Sequence, residues 1–548
     1  MKNLSVKKVV ASIVTASLLS MSLAGCGETS TNASSETAGS SQTAASSGGS
    51  ESAAAEYKDE LHIAISSEPT NLDVVVNTAT VAVQVAYGTI FESLVTMNEN
   101  YEPIPELCES WTVNDDSTEY TWKLREGVKF HNGAEMTAED VAASLNRWLA
   151  NAGNAQTMMG EAEFVPADTY TVTLKLNVTC AYVNELLAGL GQRAVIMPKS
   201  VLDAVDETGI VSEYIGTGPY KFVDWVDQQS IHITRNDEYQ PYGTAGDFSG
   251  WGGYKEAATK DIYFDIVSDA STIVAGMQTG EYDATTDVTA DNIAIFENNA
   301  DFNVTPMETE MAFLIFNKKE GLGANQAMRQ AVQAVVNSEE VMAGVYGDES
   351  MYSLYSSYCF DSISDWYTDA GSEYYNQGSA EAAKPYLEEA GYTDDQTFRL
   401  LVASDSPDFY NMAIIVQNQL QNAGISCEIL SYDWATFVSV RNDQPENYDA
   451  FITSFSPKIL PTMNLYLSST WAGWVSDERI LGDLASISSS TSKEEAVKVW
   501  EELQKYMYET SVPVVKFGTS KCFMVSSSKV EGIEAFEHII YTNAKVEK

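Results

Sequence analysis

The chain has 548 residues, with 31 Lys and Arg against 78 Asp and Glu, and a formal net charge of −47. Such a charge repels a phosphate backbone, because nucleic-acid affinity comes mostly from Lys and Arg neutralising phosphates, which argues against a nucleic-acid partner. A hydrophobic content of 44% with 29 Tyr, 19 Phe and 10 Trp supplies a large core, so the chain as a whole is not disordered, and its length corresponds to roughly two to four domain-sized units.

In chain order, Lys2, Lys7 and Lys8 precede the mostly apolar run Val9 to Leu23, which ends in Leu23-Ala24-Gly25-Cys26. The run is too short to span roughly 30 Å of hydrocarbon and has the charged and apolar regions of an export signal. The tetrapeptide resembles the bacterial lipobox, so residues 1–26 are expected to be a lipoprotein signal with Cys26 as the lipidated residue. An ordinary cleaved signal with an incidental cysteine is the other reading. Residues 27–56 hold Ser, Thr, Ala and Gly but no aromatic and no large aliphatic residue, which predicts a disordered tether.

The folded part opens with the alternation Leu61-His62-Ile63-Ala64-Ile65, which predicts a strand. Trp111 to Val113, the turn Asn114 to Ser117, and Tyr120, Trp122 and Leu124 predict a hairpin with aromatics on one face. Thr137 caps a helix with Asp140 at N3, and Val141, Leu145, Trp148 and Leu149 form its apolar stripe. Strands are predicted at Tyr170 to Leu176 and Ile262 to Ile266, and a helix after Asn325 with Met328, Val332, Val335 and Val336 facing inward. Strand Phe398 to Ala403, an amphipathic helix through Ile414, Ile415 and Leu420 ending at Gly424, and strand Ile425 to Leu430 form a βαβ unit, which implies a parallel pair. A last helix starts at Thr491 or Ser492, buries Val499, Trp500, Leu503 and Met507, and leads into the strand Val512 to Phe517.

Catalytic vehicles are missing from this order. The four histidines (His62, His131, His232, His538) have no metal-ligand spacing, and no HExxH, GxxxxGK[ST], GxSxG or DxDxDG run occurs. Two SxxK matches, Ser490/Lys493 and Ser526/Lys529, lack companion motifs and read as chance in a serine-rich chain. The cysteines beyond Cys26 (Cys108, Cys180, Cys359, Cys427, Cys522) are odd in number and form no CxxC, which excludes a zinc site of the usual spacing and points to buried thiols. No catalytic residue, metal or cofactor is expected. A binding module is the simplest reading, and a surface hydrolase with unrecognised carboxylates is the distant rival.

The stretch Trp122-Lys123-Leu124-Arg125-Glu126-Gly127-Val128-Lys129-Phe130-His131-Asn132-Gly133, continuing to Thr137-Ala138-Glu139-Asp140-Val141, resembles the most specific motif of the solute-binding proteins of peptide/nickel-type ABC importers, extracellular family 5. Gly216-Thr217-Gly218-Pro219-Tyr220, Met277 to Asp283, Met328-Arg329-Gln330-Ala331, Glu389-Ala390-Gly391-Tyr392 and Gly424-Ile425 agree with it in order. Read by themselves these motifs are structural, with Lys123 to Gly133 a strand, a glycine turn and a short strand.

The resemblance implies an α/β, two-lobed periplasmic-binding-protein-like fold of class II, cluster C, with a central cleft. Lobe I is expected at 57–102, 216–308 and 513–548, an inserted subdomain at 103–215, and lobe II at 309–512. It also implies capture of a small polar solute, an oligopeptide by family precedent, and delivery to the permease of an ABC importer by a monomer anchored outside the cytoplasmic membrane. A Gram-positive surface is favoured by the tether, and a periplasm is the other possibility. Matching pocket positions are Asn77, Thr78 and Thr80 in the Val76 to Val81 loop, Tyr432 and Trp434, and the run Phe455 to Pro461. There Lys458 stands where dipeptide-binding relatives carry an acid for the peptide ammonium. Like charges at about 4 Å repel by roughly 4 kcal/mol at an effective dielectric near 20, so Lys458 is expected to meet an anionic or hydroxyl-rich group, unless it points to solvent. An oligosaccharide or other non-peptide solute is the alternative.

Overall fold

A computed structural model describes residues 56–548. The first alternation becomes strand β1 (Glu60–Ile65), and after it helix α1 (Thr80–Ala86) buries Ala82, Val83 and Val85. The aromatic hairpin is β2 (Cys108–Val113) and β3 (Glu119–Leu124), with Trp111 opposite Trp122. Helix α2 (Ala138–Asn151) begins at a complete Thr137/Asp140 capping box and buries the four stripe residues. Strands β4 (Ala162–Asp168) and β5 (Thr171–Leu176) finish a separate four-stranded antiparallel sheet in the order β2-β3-β5-β4, and the short helix α3 (Val183–Ala188) follows it.

Strands β6 (Tyr220–Val226), β7 (Ser230–Arg235), β8 (Asp261–Ile266) and β9 (Ala284–Thr285) return to the sheet of β1. The long β10 (Phe302–Phe316) precedes helix α4 (Gln326–Val335), which Asn325 caps by accepting from the Met328 N–H. The βαβ unit is β11 (Phe398–Ala403), α5 (Pro407–Asn422) and β12 (Cys427–Tyr432), with all six residues of the two strands in parallel register. Helix α6 (Trp434–Asp443), strand β13 (Ala450–Phe455), helix α7 (Lys493–Tyr506) and the long β14 (Val514–Ser527) complete the set.

The main sheet runs β12-β11-β13-β10-β14-β9-β1-β8-β7-β6, with Tyr352–Ser353 added beside β14 as its eleventh strand. Strands β11 to β13 lie on one side and β1 and β6 to β9 on the other. Only β10 and β14 pass between them, paired antiparallel from Phe302/Ser527 to Ile315/Val514. Their register slips between Glu308 and Met311, a bulge that bends the ribbon where the two halves meet.

Three expectations are corrected. The last strand does not end at Phe517: β14 begins at Val514 and continues to Ser527, because β10 supplies backbone partners along its length. Gly518 is there for closeness rather than a turn, since a Cβ on it would lie 2.9 Å from the Met342 side chain and from the Ser353 carbonyl. Ile414 is exposed, because the buried face of α5 is made by Met412, Ala413, Val416 and Leu420. The short strand after Gly127 is only an isolated bridge between Lys129 and Glu135.

The motif residues hold backbone. The His131 N–H donates to the Gly216 carbonyl, the Gly216 N–H donates to His131 Nδ1 at 3.3 Å, and Nε2 meets the Gly218 carbonyl at 2.9 Å. This fixes the neutral ring with its proton on Nε2. Both glycines are required by contact: a Cβ on either would stand 2.0 Å from the carbonyl oxygen of Ile90 or Thr89. Burial pushes His131 down from 6.5 to about 4. The unfolded chain therefore takes up this proton before the folded protein does, so stability is lost as pH falls from 6.5 towards 4 and is unaffected above that window. His131 is expected to account for about 3 kcal/mol of this loss at most. Melting temperatures across that range should show a shallower pH slope for His131→Gln than for the parent.

Candidate functional site

Phe313 and Met311 project from one face of β10, two residues apart, and Phe455 at the end of β13 lies opposite Met311 in register. With the Tyr358–Phe360 segment and Tyr466 they line a small cavity of about 10 Å³, the room of about one water. The rings support one another: Phe313 lies 4.7 Å from Tyr466, Phe455 5.3 Å from Tyr466, and Tyr358 stacks on Tyr508 at 4.8 Å. Their backbone is tied as well, since the Tyr466 hydroxyl donates to the Tyr358 carbonyl and Tyr508 to that of Ser356. Rigid aromatic walls with a few polar groups are what a small-molecule pocket requires.

The polar groups on the wall are Lys458, Asn464 and Ser456. Lys458 is half-buried and, among the described residues, has no hydrogen bond or salt bridge. Loss of water pushes its amine below the ordinary lysine range, and the nearby Glu310 carboxylate opposes that shift. Glu310 itself accepts from the Ser454 hydroxyl. The cations around this region are engaged otherwise: Lys516 donates to the Ser357 carbonyl at 2.6 Å, and Arg329 to four backbone carbonyls. A half-dry, unpartnered ammonium among aromatic rings favours a negatively charged or strongly accepting ligand group.

A second small cavity, also of about 10 Å³, lies beside Glu92, Arg125 and Tyr239. Its Glu92 carboxylate is already matched by Lys255 at 3.1 Å, Thr217 at 2.9 Å and Tyr239 at 2.7 Å, and its Arg125 donates to the Glu106 and Gln240 carbonyls. Neither SxxK pair is a catalytic couple: Lys493 pairs with Asp365, Ser490 donates to the Ser492 carbonyl, and Ser526 is buried in β14. Among the described residues no group of three or more His, Cys, Asp or Glu is placed to hold a metal. The five described cysteines are free, four of them buried, and burial pushes all five thiols up, so they are poor nucleophiles.

Of the residues singled out from sequence, the structure brings Phe455 and Lys458 together in the cavity. Asn77 holds its own loop, donating to the Asn71 carbonyl at 2.7 Å and accepting from the Ala79 N–H. Thr78 and Thr80 are exposed beside it. Tyr432 is 39% and Trp434 47% exposed. Trp434 stacks on Phe437 and reaches the cavity wall only through the aromatic chain Phe437, Phe451, Trp471, Phe455. Cys26 lies outside the described residues. Phe313, Tyr358, Phe360, Asn464 and Tyr466 carry no signal in the sequence: Phe313 reads as an ordinary strand residue, and single aromatic or amide side chains in the irregular segments near 358 and 466 have no spacing pattern.

Two half-sheets joined by a pair of crossing strands, with an aromatic, non-catalytic pocket beside the crossing, define a two-lobed solute-binding protein of the cluster C type. Residues 102–474 match the model of the bacterial extracellular solute-binding proteins, family 5, and the chain belongs to that family of non-catalytic, ABC-transporter substrate-binding proteins. It is 26% identical over 448 residues to a probable peptide ABC transporter periplasmic-binding protein, y4tO, of Sinorhizobium fredii, covering 78% of this chain and 83% of that one. It is 25% identical to heme-binding protein A of Haemophilus influenzae, covering 81% and 84%. In structure it is similar to the binding protein AgaA of A. tumefaciens R10 in complex with agropinic acid, with a TM-score of 0.70, 23% identity, and coverage of 89% and 99%. Among the described residues no helix is long and apolar enough to cross a membrane.

A lysine that holds the fold is expected to cost stability when removed, whereas one kept half-dry without a partner is not. Lys458→Met is therefore expected to leave the melting temperature of the solute-free protein unchanged or raised. A fall of several degrees in calorimetry would assign Lys458 a structural role instead.

Proposed function

We propose that the protein captures a short oligopeptide or peptide-like solute bearing a carboxylate, and presents it to the permease of an ABC importer. The observation that carries this reading is the unpartnered Lys458 amine in the wall of an aromatic cavity. The space left there, about 10 Å³, is far below the roughly 300–1,000 Å³ of ordinary ligand pockets, so in this reading the walls have to move apart before a solute enters. In this reading Lys458 takes the place of the acid that meets a peptide ammonium in dipeptide-binding relatives, so the solute is anchored by its negative end. The lobes are 57–102, 216–308 and 513–548 against 309–512, with 103–215 inserted, and they turn on the bulge after Glu308. Asn77, Thr78, Thr80, Tyr432 and Trp434 serve as outer contacts for parts of a solute that extend beyond the cavity.

A non-peptide solute such as an oligosaccharide is the second reading, and the aromatic lining around Phe313, Phe455 and Tyr466 favours it, since aromatic faces also stack on sugar rings. The names of relatives that take heme and agropinic acid point the same way.

The membrane attachment rests on residues 1–26. A diacylated Cys26 would supply the two chains that stable anchoring takes, with residues 27–56 between the anchor and the folded part. Cys26→Ser is expected to move the protein from the membrane fraction to the medium or periplasm. An unchanged distribution would reject the anchor.

Solute identity is tested by mass spectrometry of whatever the natively purified protein releases on unfolding. Recovered short peptides support the first reading, and recovered sugars support the second. For a recovered carboxylate solute, Lys458→Ala is expected to weaken binding about tenfold or more in calorimetry, the scale of one charge-assisted hydrogen bond. Unchanged affinity would remove Lys458 from the site.

A further inference from the structure

Three pairs of side chains meet where the 103–215 segment faces the half of the molecule that holds the cavity. Tyr182, at the start of α3, lies 6.2 Å from Trp366 between ring centroids. A Cβ on Gly189, at the end of α3, would stand 2.7 Å from Ile459 Cδ1. Thr462 Oγ1 lies 3.9 Å from Met158 Sδ. Ile459 follows Lys458 directly, so α3 rests on the loop that carries the cavity's lysine. The opposite wall is firm, because the Trp366 carbonyl accepts from Trp500 Nε1 at 2.9 Å.

This seam contains an uncompensated group. Tyr182 is 4% exposed, and its hydroxyl has no hydrogen-bond partner among the described residues. A phenol facing solvent would be hydrated. When the seam shuts, that hydration is removed and no protein acceptor replaces it, which disfavours the shut state.

We propose that the α3 face of the inserted subdomain is the jaw that closes over the solute cavity, and that the Tyr182 hydroxyl keeps this closure weak and therefore reversible. The ring of Tyr182 packs on Trp366 and draws the jaw in, while its oxygen opposes full closure. Gly189 is the point of closest approach, where only the absence of a Cβ lets Ile459 seat. Binding strength then depends on residues that touch no solute, because any solute has to overcome the same seam term when the cleft closes.

The test needs no solute, so its failure leaves the reading of the cavity standing. Met158→Cys and Thr462→Cys are introduced together in the full chain, and a short bis-maleimide records closure as a 158–462 linkage mapped by mass spectrometry. The parent pair is expected to cross-link, and adding Tyr182→Phe, which keeps the ring, to raise the rate about fivefold or more. Gly189→Ala is expected to slow it, and Ile459→Val, which removes Cδ1, to restore it. That last arm separates the seam contact from the Glu185 carbonyl, which a Cβ on Gly189 would also approach at 2.7 Å. No linkage in the parent, or an unchanged or slower rate with Tyr182→Phe, overturns the proposal. A Gly189→Ala effect that Ile459→Val does not relieve overturns the role given to Gly189.

Discussion

The antiparallel pairing of β10 with β14 is the constraint on which the rest of the structure depends. These are the only strands of the main sheet shared by both halves, so every residue that must be placed relative to the cleft is placed relative to them. Met311 and Phe313 reach the cavity directly from β10. The opposite wall is fastened to β14 through Lys516, whose buried amine donates to the Ser357 carbonyl at 2.6 Å and lies 3.5 Å above the Tyr355 ring. Tyr355 in turn donates to Glu308 at 3.0 Å and accepts from Thr519. Burial pushes the Lys516 amine far down, and the Glu308 and Asp361 carboxylates oppose this. The loop that supplies Tyr358 and Phe360 is thus held by one amine reaching out of a strand. The bulge beside Glu308 is where the ribbon can bend without breaking that attachment, because Thr309 and Ser520 bridge it by hydrogen bonds.

Most of the fold was legible because its signals are local. A capping box at Thr137, an Asn325 cap and a left-handed Gly424 just after α5 each follow from a few adjacent residues. The ordered motifs belong to the same class of signal. Arg329 bonds the Ser511 and Val512 carbonyls, Asp283 receives the His62 N–H and Lys58, and Gly216 and Gly218 leave room for backbone. They identify the family because they specify the fold, and for the same reason they say nothing of the solute. The length of β14 was not legible, since a strand through Gly518 and Thr519 is decided by partners more than two hundred residues away in sequence. Ile414 was misplaced because a run of apolar residues on a helix does not say which of two neighbouring faces is covered.

The candidate site was legible only at Phe455 and Lys458, through the run Phe455 to Pro461 that the family resemblance marked. Its other walls come from residues near 358 and 466, segments without periodicity, and aromatic side chains there are equally consistent with plain core. The outer positions Asn77, Tyr432 and Trp434 were inferred from relatives, and nothing in their spacing could say that the first binds its own loop and the others stand apart from the cavity. Distance along the chain, rather than weakness of the chemistry, hid the pocket.

If the proposed reading holds, charge gives the pocket its selectivity by contrast. With 78 acidic groups against 31 basic ones, cations are scarce, and the buried ones already have structural work: Lys255 between Glu92 and Glu106, Arg193 on Glu537, Arg329 on backbone carbonyls. Lys458 stands apart from these because no carboxylate lies within salt-bridge distance of it. The surrounding negative field does not cancel it, since exposed charges are screened within about 8 Å at physiological ionic strength, whereas a half-dry ammonium acts in a medium where its field is stronger. In the proposed reading a carboxylate approaching the surface is repelled weakly and non-specifically, and is attracted strongly only where it meets Lys458. Phe455 and Tyr466 are already in contact, with ring centroids 5.3 Å apart, so that meeting requires the aromatic walls to part, which separates entry from recognition.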